Sequence, residues 1–261
     1  MIRPGLCSVT FRDLGVEAVV DHAVAAGLEC IEWAGDAHVP PADVEAAARA
    51  RELTEQAGLT VASLGSYLRF EGDDEETIRA EGEAVLGTAR ALGAPRIRVW
   101  AGRTGSADVP AGVRARLVGR IQRFADAAAG HGIDVGLEFH GRTLTDEIGS
   151  TLRLLDEIDR ENVLSYWQPH QGMPDADALE TLRRVLPRTS TIHVFSWWPL
   201  AERLPLAERS ALWERAFATL AAEGSDRDAL LEFVPGDDPA VLRREADALR
   251  TLITAGEEAA R

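Results

Sequence analysis

Residues 133–145, IDVGLEFHGRTLT, place a carboxylate at Glu138 and an imidazole at His140, where an apolar run gives way to Gly141. Residues two apart on a strand share a face. If the strand belongs to a closed barrel, both side chains point into one mouth, where a divalent cation and a polyol could sit. Three other short apolar runs end in comparable groups: Gln168 and His170 in YWQPH, His193 in IHV, and Glu232 in LEF.

Glu138, Gln168, His193 and Glu232 form a mostly oxygen donor set with one imidazole. That set suits a borderline-hard cation, Mn2+ first, with Mg2+, Co2+ and Zn2+ as alternatives. Such an ion could hold adjacent hydroxyl and carbonyl oxygens of a sugar and stabilise an enediolate as it forms. Glu138 and Glu232 are the candidate proton carriers. A carboxylate gripped by a metal is a poorer base, so the two could divide binding and proton transfer between them. His140, Arg142 and His170 are candidates for substrate hydroxyls or a phosphate.

Tryptophan is plentiful, at 6 residues against 7 Phe and 2 Tyr. Trp33, Trp100, Trp167, Trp197 and Trp198 all fall at or just past expected strand ends, as do Glu32 and Tyr67. Each aromatic could serve equally as packing; together they could wall a pocket against water. Glu32, Trp33, Tyr67, Trp100, Trp167 and Trp197 are therefore added as candidate substrate contacts. A polar and aromatic lining points to a carbohydrate-like ligand more than to a highly anionic one. His22 and His131 lie in or at the ends of helices and read as structural. His38, Asp36 and Arg69 fall in loops, where a substrate contact and simple solvation are both open.

These groups converge only if the chain positions them. Strands are expected over residues 6–11, 28–33, 59–65, 96–100, 133–139, 162–167, 190–197 and 229–234. Helices fill the intervals: about 16–26, from Pro40 and Pro41 to Gly58, from Asp73 to Leu92, and from Pro110 to near Gly132. The series continues over 143–158, from Pro174–Asp175, over 207–222 and over 238–254. Thr143 with Asp146 resembles a capping pair for the fifth helix. Helix ends repeat one device, AAG-LE, QAG-LT, ALG-AP and AHG-ID, in which a glycine takes a left-handed cap before the chain enters a strand. Mostly apolar strands fit a sheet covered on both faces. Eight such units give a single-domain α/β fold, the (β/α)8 TIM barrel. The competing open doubly wound sheet lacks a GxGxxG after its first strand.

Composition bounds the rest. A chain of 261 residues, 46% hydrophobic and 27% charged, can bury a full core. Its 28 basic and 43 acidic residues give a net charge of -15, which disfavours nucleic acid as a partner. No membrane-length apolar run or signal-peptide pattern is present, and Cys7 and Cys30 sit in apolar runs, as free buried thiols would. A cytoplasmic location is the expectation.

The order and spacing of LEFH (137–140), YWQPHQG (166–172), IHVFSWWP (192–199) and LLEFV (230–234) resemble the xylose isomerase-like TIM-barrel superfamily, the sugar phosphate isomerases and epimerases. The resemblance spans essentially the whole chain as one domain, 1–261. It implies a divalent metal, often Mn2+, held by a glutamate, an aspartate, a histidine and a glutamate at the ends of strands five to eight. Glu138, Gln168, His193 and Glu232 match those positions. It also implies that the two glutamates act as the acid/base pair, and that dimers or tetramers are common. Gln168 departs from the pattern: it keeps a carbonyl oxygen but removes one negative charge.

The leading expectation is thus a metal-dependent isomerase or epimerase of a sugar or polyol, working by proton abstraction next to a carbonyl. One alternative is a lyase or dehydratase on the same site, including deglycosylation of 3-oxo-C-glycosides. Another is an inactive sugar-binding or partner subunit, motivated by Gln168. The nuclease branch fits least.

Overall fold

The computed structural model describes residues 1–72 and 74–261. Among them, eight short strands alternate with eight helices: β1 Ile2–Cys7, α1 Val16–Ala25, β2 Cys30–Ala34, α2 Val44–Gln56, β3 Thr60–Gly65, α3 Glu75–Leu92, β4 Arg96–Val99 and α4 Ala111–Ala129. The second half continues with β5 Asp134–Glu138, α5 Ile148–Ile158, β6 Val163–Trp167, α6 Asp175–Val185, β7 Thr189–Val194, α7 Ser210–Glu223, β8 Arg227–Leu231 and α8 Leu242–Ala259. The strands pair in parallel in chain order, and β1 also pairs with β8, setting Leu6 opposite both Ile31 and Leu231. The sheet therefore closes, and the chain is a single-domain (β/α)8 barrel.

The expected glycine caps are present: Gly27, Gly58, Gly93 and Gly132 take φ of 68°, 76°, 69° and 69°. Each reverses the chain from a helix into the next strand without the steric cost a Cβ would carry. Apolar side chains such as Ile121, Leu137, Leu154 and Ile192 join one buried cluster. The barrel interior is more polar. At the N-terminal ends of the strands Arg3 Nε donates to Asp228 Oδ1 at 2.7 Å, and Arg96 pairs with the same carboxylate. Cys7 and Cys30 are free and buried. No helix among the described residues is long and apolar enough to cross a membrane.

Several boundaries differ from expectation. The fifth helix starts at Ile148, not at residue 143, because the threonines before it serve the strand end instead of capping a helix. Thr143 Oγ1 donates to the His140 carbonyl at 2.7 Å, and Thr145 Oγ1 donates to that of Glu138 at 2.5 Å. Asp146 Oδ2 accepts from the Ser106 amide. Pro40 and Pro41 precede α2 without opening it; Asp43 is its cap, accepting from the Ala46 amide at 2.9 Å. For α3 the cap is Asp74, and the expected start at Asp73 lies outside the described residues. Strand β7 stops at Val194, so Trp197 lies in the following loop, bridged to Arg203.

Gly136 on β5 is required by packing, since a Cβ there would lie 2.1 Å from the Tyr166 ring. Gly136→Ala should cost about 1–3 kcal/mol or more through overpacking. Urea denaturation against wild type measures it, and an unchanged midpoint would show that Tyr166 is free to move aside.

Candidate active site and metal centre

Strand alternation sorts the candidates before any chemistry is considered. Residues on one face of each strand enter the barrel, and their neighbours meet the helices. Glu138, Gln168, His193 and Glu232, from or just beyond β5, β6, β7 and β8, are brought together at the C-terminal end of the barrel. Gln168 bridges the group. Its amide nitrogen donates to Glu138 Oε1 at 3.0 Å, and its carbonyl oxygen accepts from His193 Nδ1 at 2.9 Å. Glu232 Oε2 lies 3.6 Å from the same His193 nitrogen. Glu138, His193 and Glu232 offer ligand atoms that all fall within 4.8 Å of one another.

A cation fits this donor set. Three converging buried donors with a carbonyl oxygen beside them can satisfy a divalent ion, and two carboxylates supply negative charge. A second triplet, Cys7, Glu32 and His193, meets the same geometric limit.

The cavity over these groups has a volume of about 560 Å³. Its lining includes Tyr67, Trp100, His140, Arg142, His170 and Trp197, as expected, together with Arg12 and Arg98. His140 Nδ1 donates to the Gly141 carbonyl at 2.8 Å, and its ring stacks 4.1 Å from that of Trp100. His170 Nε2 donates to the Asp146 carbonyl at 2.7 Å, and its ring stacks on Phe139. A main-chain carbonyl thus fixes one N–H of each ring, leaving His140 Nε2 and His170 Nδ1 as free acceptors. Burial lowers the His170 pKa, which favours the neutral ring.

Three expected contacts are corrected. Trp33 and Trp167 are fully buried and point outward: Trp33 Nε1 donates to Thr54 on α2 at 3.1 Å, and Trp167 Nε1 donates to Thr181 on α6 at 3.0 Å. Each indole belongs to the layer between sheet and helices, where its burial is worth about 2 kcal/mol or more. Glu32 does point inward but lies beneath the cavity, 2% exposed, with Oε2 accepting from Ser63 Oγ at 2.6 Å. Among the loop residues left open, His38 is structural, bonded to Ser8 and to the Leu14 carbonyl. Asp36 pairs with Arg12, and Arg69 lies over the Trp100 ring.

Arg98 was not among the sequence candidates. Its Nη1 sits 3.1 Å from Glu138 Oε2 and its Nε 3.7 Å from Glu32 Oε1, with the side chain 3% exposed. Its signal was available: Arg96 and Arg98 alternate at the inward positions of a short strand, in register with Trp100 two residues on.

The family model of the xylose isomerase-like TIM barrel matches residues 20–252. The chain belongs to this family. A curated relative, the 3-dehydroshikimate dehydratase of Bacillus anthracis, is 32% identical over 195 residues, covering 70% of this chain and 68% of that protein. Among solved structures, the probable 3-DHS dehydratase AsbF of Bacillus anthracis superposes with a TM-score of 0.81 at 24% identity, covering 96% of this chain and 99% of that one. An L-ribulose 3-epimerase gives 0.74 at 20% identity, covering 100% and 96%. The donor cluster and this kinship make the protein a metal-dependent enzyme of the xylose isomerase-like family.

The electrostatics follow from crowding three carboxylates inside one barrel. Burial opposes ionisation of Glu32, but His193, Arg98 and the Ser63 hydroxyl outweigh it and lower the pKa to about 2. Burial likewise opposes charge on His193, yet Glu232, Glu32 and Glu138 raise its pKa to about 9. Glu232 is raised to about 7, by burial first and by the Glu138 charge, against the pull of His193 and Arg98. A larger groove of about 690 Å³ between α3 and α4, lined by Phe70, Ile78 and Phe124, lies on the outer helix ring and gathers no comparable chemistry.

An incoming cation must displace the protons that His193 and Glu232 hold. Mn2+ affinity should therefore rise with pH through about 7 and continue rising toward about 9. Titration calorimetry across that range measures it; an affinity flat in pH would place the ion elsewhere.

Proposed function

We propose that the protein is a lyase that removes water from a hydroxylated ring ketone bearing a carboxylate, 3-dehydroshikimate being the first compound to test. The observation that carries this reading is the 32% identity over 195 residues to a dehydratase acting on that compound. Arg12 and Arg142 in the cavity lining support it, since they suit a carboxylate better than a neutral sugar. The dehydratase alternative is thereby favoured over the isomerase or epimerase expected first.

A divalent cation, Mn2+ by preference, would be held by Glu138, His193 and Glu232 with the Gln168 carbonyl beside them, and would supply positive charge to a substrate carbonyl. The protein's own groups divide the remaining work. Both Glu138 oxygens already face donors, Gln168 and Arg98, which suits Glu138 to binding. Glu232 also lines the cavity, with only His193, at 3.6 Å, paired with its carboxylate among the described residues, so it is the better proton carrier. It takes the proton from the carbon beside the carbonyl. The C–H electron pair becomes the new carbon–carbon double bond, and the hydroxyl on the next carbon departs. That hydroxyl needs a proton to leave as water, and Glu232, protonated in the first step, returns it, while His140 Nε2 and His170 Nδ1 accept hydrogen bonds from the substrate. The rings of Trp100 and Trp197 wall the cavity against solvent.

Mn2+-loaded protein incubated with 3-dehydroshikimate should yield an aromatic product lighter by one water, read by absorbance and mass spectrometry. Glu232→Gln should slow that step by about 10²–10⁴-fold, and chelation of the metal should abolish it. Deuterium uptake from D2O beside the carbonyl with no loss of water would instead favour isomerisation and sink the lyase reading.

A further inference from the structure

Glu32 is the buried acid that neither the cation reading nor the proton-transfer reading uses. It enters the barrel from β2, one layer beneath the cavity, and the surrounding side chains hold it in place: Ser63 Oγ donates to Oε2 at 2.6 Å, and Arg98 Nε approaches Oε1 at 3.7 Å. Oε1 also faces His193 Nε2 at 3.5 Å. That nitrogen is buried and has no hydrogen-bond partner, whereas Nδ1 on the other side of the ring faces Gln168 and Glu232. The two nitrogens of His193 are thus addressed by two different sets of groups. One side meets the proposed cation donors, and the other meets a lone carboxylate. A carboxylate attracts an N–H and repels a lone pair, and an imidazole that ligates through one nitrogen must carry its proton on the other.

We propose that Glu32 is a positioning residue that keeps a proton on Nε2 of His193, so that the proton Nδ1 shares with Gln168 is the one an ion displaces and the Nδ1 lone pair is directed to the cation shared with Glu138 and Glu232. The assignment rests on the metal reading above. It also answers the alternative use of the same atoms, a second ion between Cys7, Glu32 and His193. Ser63 and Arg98 already engage the Glu32 carboxylate, and one neutral imidazole cannot offer lone pairs on both sides.

The test combines binding with a spectroscopic signature. Mn2+ affinity is measured by electron paramagnetic resonance for wild type, Glu32→Gln, Glu32→Asp and Ser63→Ala. The ring nitrogens of His193 are observed by 15N nuclear magnetic resonance in the Zn2+-loaded wild-type protein. We expect one ion per chain, a proton on Nε2, and a loss of affinity of about 10- to 100-fold in Glu32→Gln, partly restored in Glu32→Asp. Should Glu32→Gln fail to fold, Ser63→Ala carries the same expectation in weaker form, and the resonance measurement needs no variant. Undiminished Mn2+ affinity in folded Glu32→Gln, an unprotonated Nε2 in the loaded wild type, or a second ion lost with Cys7→Ser would each overturn the proposal. A wild-type protein that takes up no Mn2+ would overturn the metal reading itself, a result distinct from uptake indifferent to residue 32.

Discussion

Three carboxylates, Glu32, Glu138 and Glu232, are held inside one closed barrel, and a single guanidinium spans two of them. Arg98 lies between Glu32 and Glu138, and His193 lies between Glu32 and Glu232. Without those cations the acids would repel one another in a medium that screens poorly, and breaking such a buried pair typically costs about 3–5 kcal/mol. Burial, with the Glu138 charge added to it, keeps the Glu232 pKa near 7, while His193, Arg98 and Ser63 outweigh burial at Glu32 and hold it near 2. Two carboxylates of the same chain are thereby given different jobs by their neighbours.

The same arrangement gives Gln168 a role that a charged residue could not fill in the same way. An aspartate there would bring a fourth negative charge and only acceptors. The amide instead donates to Glu138 and accepts from His193, holding both in place. Arg98 reinforces Glu138 from the other side. The loss of one anionic donor is accompanied by two hydrogen bonds that tie Glu138 and His193 to a single amide.

The arginines of the cavity change the reading of the substrate. Strand-end tryptophans suggested sugar-stacking walls, but two of them, Trp33 and Trp167, are committed to the helix layer. Their absence from the mouth, and the presence of Arg12 and Arg142 in its lining, are what the proposal of an anionic substrate rests on. Kinship with a dehydratase points the same way.

Much of this was legible in the amino-acid sequence, because the signals were local. The glycine-terminated helices and apolar strands gave the eight-fold repeat, and a polar group ending each of strands five to eight gave Glu138, Gln168, His193 and Glu232. Local pattern failed where a residue's role depended on what faced it across the barrel. Trp33 and Glu32 are adjacent, yet one faces α2 and the other the interior; only the register of the closed sheet decides which. Thr143 and Asp146 look like a helix cap, yet Thr143 and Thr145 bond the carbonyls at a strand end and Asp146 the Ser106 amide. Arg98 lies 40 positions before Glu138 and 66 after Glu32, so its pairing became visible only once β4 stood in place between them. Residue types and their order determined the fold and the donor set; closure of the barrel decided which buried charges compensate one another, because Coulomb pairing depends on distance in space and not along the chain.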